Sequence, residues 1–233
     1  MQFPLKSFVV LYEDNHLLVV NKSAGVLVQG DATGDVPLVD ECKSYIKAKY
    51  QKPGEVFLGV VHRLDRPVSG VVVLARTSKA LERMNELFRE RETHKTYLAI
   101  VKHKPSEPDG TLVHWLIKDE SKNKTTAYRK ETPGALKSEL DYSILASANG
   151  HWLLRINPLT GRSHQIRVQL ASMGCVIRGD LKYGDDQATG DGSIHLHARR
   201  ISFIHPVKKE TVTFEAPLPE TGMWKYFTKF DEL

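Results

Sequence analysis

The sequence predicts an α+β fold: a large, mostly antiparallel, mixed β-sheet flanked by helices and loops. Three observations lead there. Strand-like segments outnumber helical ones. They come in clusters and do not alternate one-for-one with helices. Two β-branched runs, "FLGVV" (57–61) and "GVVVLA" (70–75), have the continuous apolar character of strands buried on both faces.

Element by element, "FVVLYEDNHLLVVNK" reads as two strands around a turn at Glu13–Asn15. Residues 38–49 place Leu38, Cys42, Tyr45 and Ile46 at helical spacing. After the two β-branched runs comes the clearest helix. Ser78 is its expected N-cap, and Leu81, Met84, Leu87 and Phe88 form one apolar stripe. "KTYLAIVK" (95–102) returns to alternation. "TLVHWLI", "TTAYRK", "SELDYSILA" and "HWLLRIN" make the middle strand-rich. A further helix follows "LTGRS", with Ile166, Leu170 and Met173 on one face and Gly174 at the position of a C′ glycine. "RRISFIHPVKKETVTFEAP" predicts a hairpin, and "MWKYFTKF" a short amphipathic helix.

The totals narrow the class. With 233 residues, 41% hydrophobic and 26% charged, the chain has the profile of a soluble globular protein. No stretch approaches the roughly 20 apolar residues that span a bilayer. The N-terminus lacks a signal-peptide layout, so a cytoplasmic protein with no membrane partner is expected. Loops at 30–37, 52–55, 104–110 and 184–192 are too short for interdomain linkers, which predicts one domain over 1–233. Cys42 and Cys175 lack metal-like spacing and read as buried free thiols. The formal charge of +5 favours a polyanionic partner.

The chemistry sits in short segments. In "VVHRLDRPVSGVVVLA" (60–75) an acid, Asp65, stands among His62, Arg63 and Arg66 between two apolar runs. Such a loop on rigid strands can hold a working side chain. Its basic neighbours favour a charged carboxylate, suited to nucleophilic or basic work. In "NPLTGRSHQIRVQLASMGCVIRGDLKYG" (157–184), Arg162, His164 and Arg167 open a helix whose first N–H groups can receive a phosphate, and Arg178 and Lys182 follow it. Tyr97 lies in a strand-like segment. Taken singly, each has an ordinary alternative: an ion-paired turn, a solvated basic helix face, a packed aromatic. The "HLH" of His195 and His197 puts two imidazoles on one strand face, but no third ligand accompanies them at metal spacing, so no metal is expected. No GxGxxG or Walker pattern occurs, so no nucleotide or other cofactor is expected.

Together, "HRLDRPVSGVVVLA", "KTYLAIV", "TGRSHQIRVQLASMG", "IRGDLKYG" and "HLHA", in this order, resemble the pseudouridine synthases of the RluA type. "VVNKSAGVLV" resembles that family's N-terminal strand and loop. The resemblance covers about residues 9–216. It departs where Ser23 replaces a usual proline, Val68 a usual threonine and Gln169 a frequent histidine.

The resemblance implies a single catalytic domain with a central RNA-binding cleft and no separate N-terminal RNA-binding domain. It implies isomerisation of uridine to pseudouridine in a ribosomal or transfer RNA stem-loop, by a monomer, after base flipping. It assigns Asp65 as the catalytic carboxylate, Arg167 as its bidentate partner and Tyr97 as the residue against the base. Arg63 would replace the flipped nucleotide, and Leu196 would line the base pocket. His62, Arg66, Arg162, His164, Arg178 and Lys182 would contact RNA. A factor that binds RNA or assists ribosome assembly without catalysis is the alternative; a metal-dependent hydrolase using His195 and His197 is a more distant one.

Overall fold

The computed structural model describes residues 7–230. In chain order the elements are β1 (Phe8–Glu13), β2 (Leu17–Lys22), α1 (Leu38–Lys49), β3 (Gly59–Val60), β4 (Ser69–Ala75), α2 (Ser78–Arg89), β5 (His94–Val101), β6 (Asp109–Asp119), β7 (Lys124–Tyr128), β8 (Leu136–Ala148), β9 (His151–Pro158), α3 (Gln165–Ser172), β10 (Leu196–Ile204) and β11 (Thr211–Glu215). The described part of the chain forms two compact units, 7–94 with Ala198–Pro217, and Lys95–His197 with 218–230.

In the first unit the strand order is β1-β2-β4-β10, with β11 on β10 and β3 on β4. The pairs β1–β2, β2–β4, β3–β4 and β10–β11 are antiparallel. The β1–β2 turn is set by Asp14, whose Oδ1 accepts from the N–H groups of His16 and Leu17, each at 2.8 Å. Every residue of β4 is buried, as its apolar run predicts. Strand alternation sends Leu17, Val19, Val71 and Val73 into one core with Met84 of α2, Ile201, Phe203 and Phe214. Each such side chain contributes roughly 1.5–3 kcal/mol by leaving water. The opposite face carries Leu18, Val20, Val72 and Leu74, also buried.

Two expectations shift here. α2 is capped by Thr77, not Ser78; the Thr77 hydroxyl accepts from the Ala80 N–H at 3.2 Å. Of "FLGVV", only Gly59–Val60 pairs as strand.

The second unit orders its strands β5-β9-β8-β6-β7, and the pairs β5–β9, β8–β9, β6–β8 and β6–β7 are antiparallel. The β8–β9 connection is a two-residue turn of Asn149 and Gly150, both at positive φ (51° and 72°). That is the backbone a tight hairpin requires, and Asn-Gly is the pair that adopts it at least cost. Leu98, Ile100 and Leu153 pack with Leu218, Trp224 and Phe227 from the C-terminal segment. The expected helix near "MWKYFTKF" is two short 3₁₀ turns, Gly222–Tyr226 and Thr228–Phe230. Gly174 does follow α3 as its C′ residue, at φ +81°.

Candidate active site

In the first unit, Asp65 begins a turn closed by the Val68 N–H on the Asp65 carbonyl at 3.0 Å, directly before β4. It is half-buried, while Arg63 and Arg66 on either side are exposed. The turn is latched to the "KSAG" segment that follows β2. The Gly25 N–H donates to the Arg66 carbonyl at 2.8 Å, and the Arg66 Nε returns a bond to the Gly25 carbonyl at 3.0 Å. Arg66 also pairs with Asp35 at 2.7 Å. Ser23, at the usual proline position, donates its N–H to the Ser7 carbonyl at 2.9 Å, a bond proline cannot make.

Beneath the turn lies Lys22, which the sequence reading did not assign. Its side chain is fully buried. Nζ donates to the carbonyls of Ser23 (2.9 Å), Val26 (2.8 Å) and Arg66 (3.3 Å). Burial pulls its pKa down to about 7; the Asp65 charge opposes that fall and the Arg66 charge adds to it. Three carbonyl acceptors also favour the ammonium, which has three N–H groups to give. Lys22 pairs across β2–β4 with Gly70. Gly70 has φ +118°, and a Cβ there would lie 2.3 Å from the Ala198 carbonyl oxygen. Only glycine lets β10 approach this closely.

His62 turns inward. Its Nε2 accepts from the Val73 N–H at 3.0 Å and its ring stacks on Phe88. That ring edge is committed to protein backbone.

In the second unit, Tyr97 sits half-buried on β5 opposite Ile156 of β9. Leu196, at the start of β10, is buried. The segment before α3 is drawn tight by Gln165, whose Oε1 accepts from the Thr160 hydroxyl (2.8 Å) and the Arg162 N–H (3.0 Å). His164 caps the helix in the left-handed region at φ 53°. α3 is buried from Gln165 through Leu170, so Arg167 and Gln169 point into protein.

Arg167 meets Asp180 through two parallel bonds, Nε to Oδ2 at 2.7 Å and a terminal nitrogen to Oδ1 at 2.8 Å. Both residues are at most 5% exposed. Removing one partner of such a pair costs ~3–5 kcal/mol, because the other charge stays buried. A guanidinium has five N–H groups, so three remain for other acceptors. Tyr183 lies over the guanidinium at 5.1 Å.

The expected phosphate contacts divide. Arg162 is exposed. Lys182 is exposed and reaches the Asn123 carbonyl at 2.8 Å. Arg178 spends its guanidinium on Asp185 (3.0 Å) and on the carbonyl and side chain of Gln187 (2.5 and 3.1 Å), bracing the 184–193 loop. His164 is buried with Nδ1 on the Tyr183 hydroxyl at 2.8 Å. Gln169 donates to the Leu112 carbonyl at 3.0 Å and lies 3.2 Å from His114 Nδ1. Its Oε1 has no hydrogen-bond partner among the described residues. His195 engages backbone at both ring nitrogens: Nδ1 with the Arg178 carbonyl (3.2 Å), Nε2 with the Met223 N–H (3.0 Å). Cys42 and Cys175 are buried free thiols, as expected, and burial pushes Cys42 up to about 12. No helix among the described residues is long and apolar enough to cross a membrane.

A half-buried carboxylate on a latched turn can act as nucleophile or base. The chain is 33% identical over 225 residues to the ribosomal large subunit pseudouridine synthase C of Escherichia coli K12, covering 91% of this chain and 67% of that protein. It is 32% identical over 221 residues to the protein of the same name from Vibrio cholerae serotype O1, covering 90% and 65%. A solved structure titled human RNA pseudouridylate synthase domain containing 4 superposes with a TM-score of 0.76 at 26% identity, over 95% of this chain and 90% of that one. The family model described as RNA pseudouridylate synthase matches residues 16–172, and with it the chain belongs to that family.

Proposed function

We propose that the chain converts uridine to pseudouridine in large-subunit ribosomal RNA, with Asp65 as the catalytic carboxylate, Arg167 as a catalytic cation and Tyr97 as the residue against the base. The C1′–N1 bond breaks, the uracil turns, and C5 joins C1′. N1 gains a proton and C5 loses one, so no atoms are added and no oxidant is required. The target uridine is stacked in RNA and must be everted first, at a cost of a few kcal/mol. Phosphate contacts from Arg63, Arg66, Arg162 and Lys182 offset that cost. The catalytic part of the chain recognises the shape of a stem-loop.

The observation that carries the proposal is the ordered set of segments around Asp65, Tyr97 and Arg167 in a chain 33% identical to a named ribosomal large subunit pseudouridine synthase across 91% of its length. The test incubates purified protein with total RNA from a strain lacking the gene and maps new pseudouridines. New sites in the large-subunit RNA support the reading. Sites confined to transfer RNA reassign the substrate, and no site at all leaves an RNA-binding factor without catalysis.

A further inference from the structure

We propose that Asp180 is a positioning residue for the uridine isomerisation, holding the Arg167 guanidinium in a fixed plane, and that Tyr183 seals the same group from above. This inference rests on the proposed function, which makes Arg167 part of the catalytic machinery.

The two-bond contact fixes direction as well as distance. A carboxylate that takes Nε and one terminal nitrogen lies in the guanidinium plane and stops rotation about the last side-chain bonds. The opposite edge of Arg167 then faces one way only. A single hydrogen bond would leave the plane free to swing, and misplacement of a charged group by about 1 Å can cost ~100-fold in rate.

Asp180 is itself held. Its N–H donates to the Ile177 carbonyl at 3.0 Å, and its own carbonyl accepts from the N–H groups of Tyr183 (3.1 Å) and Asp185 (3.0 Å). The residue before it, Gly179, is at φ +89°, and a Cβ there would lie 2.8 Å from Thr189 Cγ2 and 2.9 Å from the Ser193 carbonyl oxygen. Glycine is therefore required for the turn that presents Asp180. Asp180 is 1% exposed and Arg167 is 5% exposed, so water does not compete for the pair.

Tyr183 completes the clamp. Its ring covers the guanidinium at 5.1 Å, while its hydroxyl accepts from the Thr125 N–H at 2.8 Å. The hydroxyl also lies 2.8 Å from His164 Nδ1. Burial raises the Tyr183 pKa, so the phenol stays protonated. Thr125 also bonds the Ser163 carbonyl at 3.0 Å. The residues flanking Arg167 in sequence, the turn carrying Asp180 and the start of β7 are thus tied through one phenol. Apart from Ser163 and His164, none of these partners is near Arg167 in sequence. That is why "IRGDLKYG" reads from sequence as a basic segment while its acid and its tyrosine do the fixing.

The test is steady-state kinetics on an RNA that the native protein converts, with RNA affinity and melting temperature measured alongside. Asp180→Asn keeps the volume and loses the second acceptor and the charge. The expected result is a kcat at least 100-fold lower, with KM and RNA Kd within threefold of native. Combined with Arg167→Lys, it should add less than threefold to the loss from Arg167→Lys alone, because Asp180 acts only through that arginine. Tyr183→Phe retains the ring and should stay within tenfold. Tyr183→Leu removes the ring and should lose at least tenfold in kcat at unchanged RNA affinity. If Asp180→Asn does not fold, Tyr183→Leu and its combination with Arg167→Lys decide in its place. A kcat within threefold of native, a loss carried equally by RNA affinity, or losses that multiply in the double variant overturns the inference. A native protein that converts no uridine overturns the proposed function instead.

Discussion

Replacing Lys22 by methionine probes the foundation of the Asp65 turn. The substitution keeps an unbranched side chain in a fully buried position and deletes three N–H donors. Two bonds, at 2.8 and 2.9 Å, are short; the third, at 3.3 Å, is long and counts little. A hydrogen bond from a charged donor contributes roughly 1.5–3 kcal/mol, so the two short ones give about 3–6 kcal/mol. Removing a buried ammonium relieves part of its desolvation cost, which lowers the net loss to about 2–4 kcal/mol. At ~2–4 °C per kcal/mol for a chain of this size, the melting temperature should fall by roughly 5–15 °C. The assay is thermal unfolding followed by circular dichroism, with hydrogen exchange across 61–68 to locate the loosening. The pH dependence adds a sign. Lys22 titrates near 7 in the fold against 10.5 unperturbed. Between those values the unfolded chain holds the extra proton, so native stability relative to the methionine variant should rise as pH increases from 7 towards 10.5. A melting temperature within 2 °C of native, with unchanged exchange at 61–68, would refute the reasoning.

Gly70→Ala places a Cβ 2.3 Å from backbone on β10 at a φ that side chains rarely adopt; it should lose more than ~3 kcal/mol, read as poor soluble yield or a collapse in melting temperature. Binding to RNA should weaken steeply with salt, because neutralised phosphates release counterions; a flat response between about 50 and 200 mM salt would remove Arg63, Arg66, Arg162 and Lys182 as phosphate contacts. Arg178→Ala should disturb the 184–193 loop that it braces through Asp185 and Gln187, seen as faster proteolysis there, and should leave the salt slope of RNA binding unchanged.

The sequence made the strongly patterned elements legible. β4 is a run of apolar residues and is buried throughout; α2 shows its stripe and packs through Met84. Boundaries were harder. Thr77 and Ser78 are both good caps, and only backbone geometry chooses between them. The C-terminal "MWKYFTKF" has apolar residues at helical spacing, yet Trp224 and Phe227 are placed by packing on Leu98, Ile100 and Leu153, which 3₁₀ turns allow. The Asn149-Gly150 turn carries a sequence signal that fixes the β8–β9 hairpin.

At the site, the segments around Asp65, Tyr97 and Arg167 stood out only together, through their ordered resemblance to a known family; singly, an ion-paired turn, a packed aromatic and a basic helix face explain them. Their supports did not stand out. Lys22 ends an apolar strand and looks like an exposed terminus, and its three carbonyl partners have no sequence signature. Asp180 and Tyr183 are 13 and 16 residues beyond Arg167 in a loop without periodicity. Arg178 and Arg162 are chemically alike in sequence, and only the fold shows one tied to Asp185 and the other exposed.

The most direct measurement is pseudouridine formation by Asp65→Asn on large-subunit RNA from a strain lacking the gene. Asn preserves shape and most hydrogen bonding and removes the charge, so the expected result is no detectable product with RNA affinity within a few-fold of native. Product formed at the native rate would contradict the account.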